Sequence, residues 1–218
     1  MQVGSRSEIG HVRKRNEDAL LVEPEVGVFA VADGMGGHPA GDVASAAAIR
    51  ALTAELVDRA VDDTDPPAAL TAALEGAHRA VREEAAGDSA LTGMGTTVVV
   101  ALVRGDATWV GHVGDSRAYL LPSGGPLRPV TRDHGAGGYL TQALGLDRGI
   151  APDVVRLQLG SGDRLLLCSD GLTNMVPDSV LQDLLQASSD PQAASDALAE
   201  AALAAGGIDN VTVVVVAA

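Results

Sequence analysis

The chain has a single cysteine, Cys168, so it can form no intrachain disulfide, and a zinc site built on cysteine is very hard to assemble. The flanking text LLLCSDG places that thiol as buried filler at a strand end. No apolar run approaches the roughly 18 residues that crossing a bilayer takes, and MQVGSRSEIG lacks the apolar stretch of a secretory signal. A cytoplasmic protein with no membrane partner is the expectation. Positive charge is scarce as well: 15 basic residues face 29 acidic ones, and the formal net charge of −14 argues against nucleic acid as a partner. Lys14 is the only lysine, a bias to which no mechanism attaches. Internal repeats, low-complexity tails and linkers are also missing, so residues 1–218 are expected to form one domain.

With 46% hydrophobic residues, the chain can build a substantial core. Residues 1–9, 19–23 and 26–33 read as strands. An amphipathic helix is expected over 39–61, led in by Pro39, and a second over 67–84. Residues 96–121 read as an antiparallel meander of three strands that turns at Gly105-Asp106 and again at Gly114-Asp115. The runs 153–159 and 163–170 read as a hairpin across Gly160 to Gly162, followed by helices over 177–187 and 190–204 and a strand over 211–218. Val98 to Val103 and Val211 to Val216 are apolar throughout, which requires cover on both faces. Because helices come in pairs between β blocks, a layered α+β sandwich is expected and a doubly wound parallel sheet is the weaker reading.

Four aspartates share one setting. Asp33 in VADG, Asp115 in VGDSR, Asp170 in CSDG and Asp209 in GGIDNVT each stand at the end of an apolar strand. Alone, each has a plain explanation as a turn or a cap. Brought together on one rim, they would repel strongly unless a cation neutralised them. Oxygen-only ligands favour Mg²⁺ or Mn²⁺ over Zn²⁺. The segment VRKRNEDA adds an anion-binding group, Arg13, followed by Glu17 and Asp18, whose carboxylates could hold water near a metal. A solvated charge cluster is the ordinary explanation of such a run.

Taken as a set, VRKRNEDA, VADGMGGH, GMGTTVV, HVGDSRAYL, LTQALG, LLCSDGL and DNVTVVVV resemble the bacterial members of the metal-dependent type 2C Ser/Thr protein phosphatases, the PPM family. The resemblance runs from Arg13 to Val216 and implies a four-layer α-β-β-α sandwich, with two mostly antiparallel sheets flanked by helix pairs. It implies that Asp33 bridges two ions, that the Gly34 carbonyl binds the first, and that Asp170 and Asp209 serve the second. Asp115, with Asp170, matches the place of a third ion. Arg13 matches the phosphate-binding arginine, Glu17 and Asp18 would act through water held by the metals, and Thr96 and Asn210 would support the site. The implied activity is hydrolysis of phosphoserine and phosphothreonine in proteins by direct attack of a bridging water, in a monomer opposed by a Ser/Thr kinase.

The resemblance has two departures. Met35 stands where many eukaryotic members have a histidine as general acid, and His38 is not its equivalent, which leaves His38, His134 or water to protonate the leaving group. Only residues 135–139 separate the TRDH and LTQALG blocks, where relatives carry a flap segment, so a more open cleft and a loosely held third metal are expected. The readings weighed against a protein phosphatase are a silent phosphoprotein-binding domain, a metal-stabilised structural domain and a small-molecule phosphatase.

Overall fold

A computed structural model describes residues 1–35, 40–58, 65–136 and 139–218. Strands β1 (Gln2–Glu8), β2 (Asp18–Glu23) and β3 (Val28–Met35) precede helix α1 (Gly41–Thr53), whose end widens into a π-helical turn over Ala54–Asp58. Helix α2 (Pro66–Gly87) follows, then β4 (Gly95–Thr96), β5 (Val98–Arg104), β6 (Ala107–Val113), β7 (Arg117–Leu121) and β8 (Arg128–Pro129). Next come β9 (Gly135–Ala136), β10 (Tyr139–Leu140), β11 (Asp153–Gln158) and β12 (Arg164–Cys168). The chain finishes with α3 (Asp170–Thr173), α4 (Asp178–Ala187), α5 (Pro191–Ala204) and β13 (Val211–Ala217).

Two antiparallel sheets form the centre. One runs β11-β6-β5-β3-β2, with β4 paired to the end of β3, and the other runs β1-β13-β12-β7-β8. Alternation along each strand sorts its side chains between two cores. Phe29 and Val31 of β3 point inward and meet Leu165, Leu167, Val214 and Val216 of the opposite sheet. Ala30 and Ala32 point outward and pack under α1 and α2, against Ala44, Ala48, Leu52 and Leu74. On the far side, Leu166, Val213 and Val215 pack under Leu181 and Leu185 of α4 and Leu198 and Ala202 of α5. The expected four-layer α-β-β-α sandwich is therefore the fold, and the continuous apolar runs are strands covered on both faces. Cys168 lies fully buried in the outer core at the end of β12, where burial pushes its thiol up to about 12.

The helices start and stop close to their expected positions. Asp65 caps α2 by accepting from the Ala68 N–H at 3.2 Å, with Pro66 in the first turn, where its missing N–H costs nothing. Pro39 and the far end of the first predicted helix lie outside the described residues.

Two sequence expectations about connections fail. The third strand of the supposed meander, β7, does not pair with β6; it crosses to the other sheet and pairs with β12. Gly114 makes that crossing at φ +108°, a conformation that a side chain would strain. The supposed hairpin across Gly160 to Gly162 also divides between sheets, since β11 pairs with β6 while β12 pairs with β13 and β7. A corner between packed sheets and a hairpin turn use the same local residues, and only the partners of the flanking strands distinguish them.

Candidate metal centre

Strand pairing gathers the acids at one end of the sandwich. Asp33 is near the end of β3 and directly opposite Asp18 at the start of β2. Asp115 follows β6, Asp170 opens α3 just after β12, and Asp209 stands two residues before β13. Arg13, Glu17, Asp33, Gly34, Asp115, Asp170 and Asp209 line one cavity of about 380 Å³, together with Met35, Thr97 and Leu140. Asp18 is adjacent: its Oδ2 accepts from the Ser169 hydroxyl at 2.8 Å, while its buried Oδ1 has no partner.

Hydrogen bonds hold this rim to the sheets. The Asp33 carbonyl accepts from the Thr96 hydroxyl and the Thr97 N–H, each at 2.9 Å. Asn210 accepts from the Glu17 N–H at 2.8 Å and donates to the Ile9 and Arg15 carbonyls at 2.9 Å, tying the arginine-bearing loop to the start of β13. Thr96 and Asn210 thus have defined supporting contacts. Sequence reasoning passed over Ser169, whose only signal is its place before Asp170, and Gly41. A Cβ on Gly41 would come within 2.6 Å of Glu17 Oε2 and 2.9 Å of the Gly34 carbonyl, so glycine there keeps both oxygens uncovered.

The electrostatics are those of acids short of countercharge. Burial, and then Asp18, Asp170, Asp209 and Asp115, raise the Asp33 carboxyl well above its ordinary range. Burial also pushes Asp18 and Asp115 up to about 6, and raises Asp170 and Glu17. Among the described residues, Arg13 is the cation lining the cavity, and it is engaged with Asp209 at 2.6 Å. An orphaned carboxylate oxygen, a donor set made of oxygen, and acids whose ionisation is disfavoured by burial and mutual repulsion all fit a hard divalent cation, which would offset their charge.

The histidines are placed differently. His134 does not line the cavity; its Nε2 faces Asp153 at 3.1 Å. His38 lies outside the described residues. Between the TRDH and LTQALG blocks the chain forms the β9–β10 hairpin, from which Leu140 reaches the cavity wall.

Residues 10–205 match the Protein phosphatase 2C family. The chain belongs to that family. Among its relatives, the serine/threonine protein phosphatase PstP of Mycobacterium tuberculosis is 36% identical over 241 positions, covering 99% of this chain and 44% of that protein. The serine/threonine phosphatase stp of Listeria welshimeri is 33% identical over 246 positions, covering 99% of this chain and 95% of that protein. This protein phosphatase 2C chain therefore spans less than half of the mycobacterial relative and nearly all of the listerial one. An alignment of 241 positions to 218 residues leaves at least 23 positions without a counterpart here.

Solved structures agree with the fold. The M. tuberculosis PstP/Ppp crystal structure superposes with a TM-score of 0.89 at 35% identity, covering 98% of this chain and 97% of that one. The PstP catalytic domain solved with two manganese ions gives 0.88 at 36% identity, covering 98% and 96%.

Proposed function

We propose that residues 1–218 form a single catalytic domain that hydrolyses phosphoserine and phosphothreonine in proteins with the help of divalent cations. The observation that carries this reading is the convergence of under-compensated carboxylates and one arginine on a single cavity. Asp33, the Gly34 carbonyl, Asp170 and Asp209 would hold two Mn²⁺ or Mg²⁺ ions, and Asp115 with Asp170 a third. Glu17 and Asp18 would orient water around them. When bound, such ions supply a hydroxide nucleophile near neutral pH and offset charge on phosphoryl oxygens.

The protein's own part is positioning. Arg13 exchanges its bond to Asp209 for phosphoryl oxygens and holds the phosphate in a planar fork. Met35, Thr97 and Leu140 shape the wall on which the substrate side chain rests. The new bond joins water oxygen to phosphorus, the bond to the seryl or threonyl oxygen breaks, and that oxygen takes a proton. With Met35 at the strand end and His134 turned to Asp153, water in the cavity is the proposed donor.

The substrates are phosphorylated proteins, with a Ser/Thr kinase as the opposing activity, and the domain acts as a monomer in the cytoplasm. No helix among the described residues is long and apolar enough to cross a membrane. Release of phosphate from phosphoserine peptides, and from small phosphomonoesters at equal concentration, is measured with Mn²⁺ and with EDTA. Mn²⁺-dependent turnover that favours the peptides is expected. Turnover that persists in EDTA overturns the metal-dependent reading, and a preference for small esters overturns the protein substrate.

A further inference from the structure

Asp115 follows a corner that His134 holds at two points. The His134 N–H donates to the Gly114 carbonyl at 2.8 Å, and the Gly114 N–H donates to His134 Nδ1 at 3.2 Å. A backbone N–H can only donate, so Nδ1 presents its lone pair and the neutral ring carries its proton on Nε2. Asp153 Oδ2, 3.1 Å from Nε2, is placed to accept that proton's bond.

The ring is fixed from its other sides as well. It stacks on His112 with centroids 4.4 Å apart and an angle of 26°. His112 is held through Nε2 by the Arg132 carbonyl at 2.9 Å, and it stands opposite Asp153 across β6 and β11. Gly114 has no side chain to brace itself, and a Cβ there would come within 2.6 Å of Thr97. Both of its backbone polar groups are bonded to His134.

We propose that His134 is a positioning residue for Asp115. Asp153 selects the ring tautomer, the ring fixes the Gly114 N–H, and the corner then sets the direction from which the Asp115 carboxylate enters the cavity. The affinity of the outer cation position follows from that direction. This inference rests on Asp115 being a metal ligand.

A competing use of the same residues is a zinc site, since ligand atoms of His112, His134 and Asp153 lie within 4.8 Å of one another and His112 Nδ1 is buried without a partner. Coordination through His134 Nε2 would move its proton to Nδ1, where it would confront the Gly114 N–H. The hydrogen-bond pattern therefore favours the clamp.

Calorimetric titration of the full chain with Mn²⁺ tests the proposal without recourse to turnover. Asp115→Asn is expected to remove the weakest binding event. His134→Phe keeps a stacked ring but lacks the acceptor, and should weaken that same event about tenfold while sparing the tighter ones. His134→Asn, whose Oδ1 can accept from the Gly114 N–H, should recover affinity to within about threefold of the parent. Should His134→Phe fold poorly, Asp153→Ala on the exposed strand is expected to weaken the same event by less than about fivefold. Parental Mn²⁺ affinity in folded His134→Phe, or no recovery in His134→Asn, overturns the clamp. Tight Zn²⁺ binding that Asp153→Ala abolishes, with Mn²⁺ binding intact, replaces it with the zinc site. If Asp115→Asn leaves every Mn²⁺ event unchanged, the assignment of Asp115 as a ligand fails first.

Discussion

Asp115 and Arg117 are two residues apart, yet they belong to polar groups of opposite kinds. Arg117 brings its own partner: its guanidinium donates to both oxygens of Asp133 at 2.9 and 2.8 Å and to the Tyr119 hydroxyl at 3.1 Å, and that hydroxyl donates to Asp178 at 3.2 Å. Asp115 faces Asp170 across a cavity where acids outnumber cations, and burial pushes its carboxyl up to about 6. The first group closes on itself and fastens β7 to its surroundings. The second is incomplete without something from outside the chain. An acid with its own cation is structure, whereas buried acids that share too few cations mark a ligand site.

The largest expected effect comes from removing one charge from the open group. Asp33→Asn should lower Mn²⁺-dependent hydrolysis of p-nitrophenyl phosphate on the order of a thousandfold. The metal-free variant should meanwhile unfold at higher temperature, gaining about 1 kcal/mol, because a repelled carboxylate has gone. Retained turnover, or a lower metal-free melting temperature, would break the comparison.

The next effect is on pH. Asp18 and Asp115 have folded pKa values of about 6 against an ordinary 3.8, so the folded state binds protons that the unfolded state has released. Their contribution is fully present below about pH 4 and is lost as pH rises through about 6. Metal-free protein should thus lose stability between pH 4 and 7, on the order of 3 kcal/mol for each group, and saturating Mn²⁺ should remove most of that loss. A metal-free stability that instead rises across this interval by thermal denaturation counts against under-compensated acids.

The closed group should respond only weakly to metal and to this titration, because Asp133 and Arg117 act on Asp115 with opposite signs. Asp133→Ala leaves Arg117 without its carboxylate, and both side chains are about one-third exposed, so a destabilisation of about 1–2 kcal/mol is expected. Urea unfolding should return the same difference with and without Mn²⁺; a metal-dependent difference would show the two groups to be one network. The smallest effect concerns the arginine that lies between the two kinds. Arg13→Ala should raise KM for a phosphoserine peptide about tenfold with a smaller change in kcat, by steady-state assay.

Local pattern carried most of the elements and the positions of the acids, because alternation and apolar runs record burial directly. Val98 to Val103 read as a doubly covered strand, and that is what they are. The convergence of Asp33, Asp115, Asp170 and Asp209 was legible because each stands at one end of an apolar strand, the first three next to a glycine. Which sheet a strand joins was not legible. That choice at Gly114 and at Gly160 to Gly162 depends on partners distant in the chain, and either pairing satisfies the same local preferences. The clamp on Gly114 was hidden for the same reason, since His112, His134 and Asp153 meet only through the pairing of β6 with β11 and the course of the loop after β8. His134, open as a proton donor on sequence grounds, is not among the residues lining the cavity, and its Nε2 faces Asp153.

The place of β13 between β1 and β12 has a consequence for synthesis. The sheet whose strand β12 leads into Asp170 has nothing to join β1 to β12 until Val211–Ala217 arrives, and Asp209 enters with it. Helices α1 and α2 pack on the other sheet, whose strands all precede β12 in the chain, but the cavity needs Asp170 and Asp209 as well. The cavity lining is therefore complete only once β13 is in place, and a chain cut short before Asp209 would lack one of its walls.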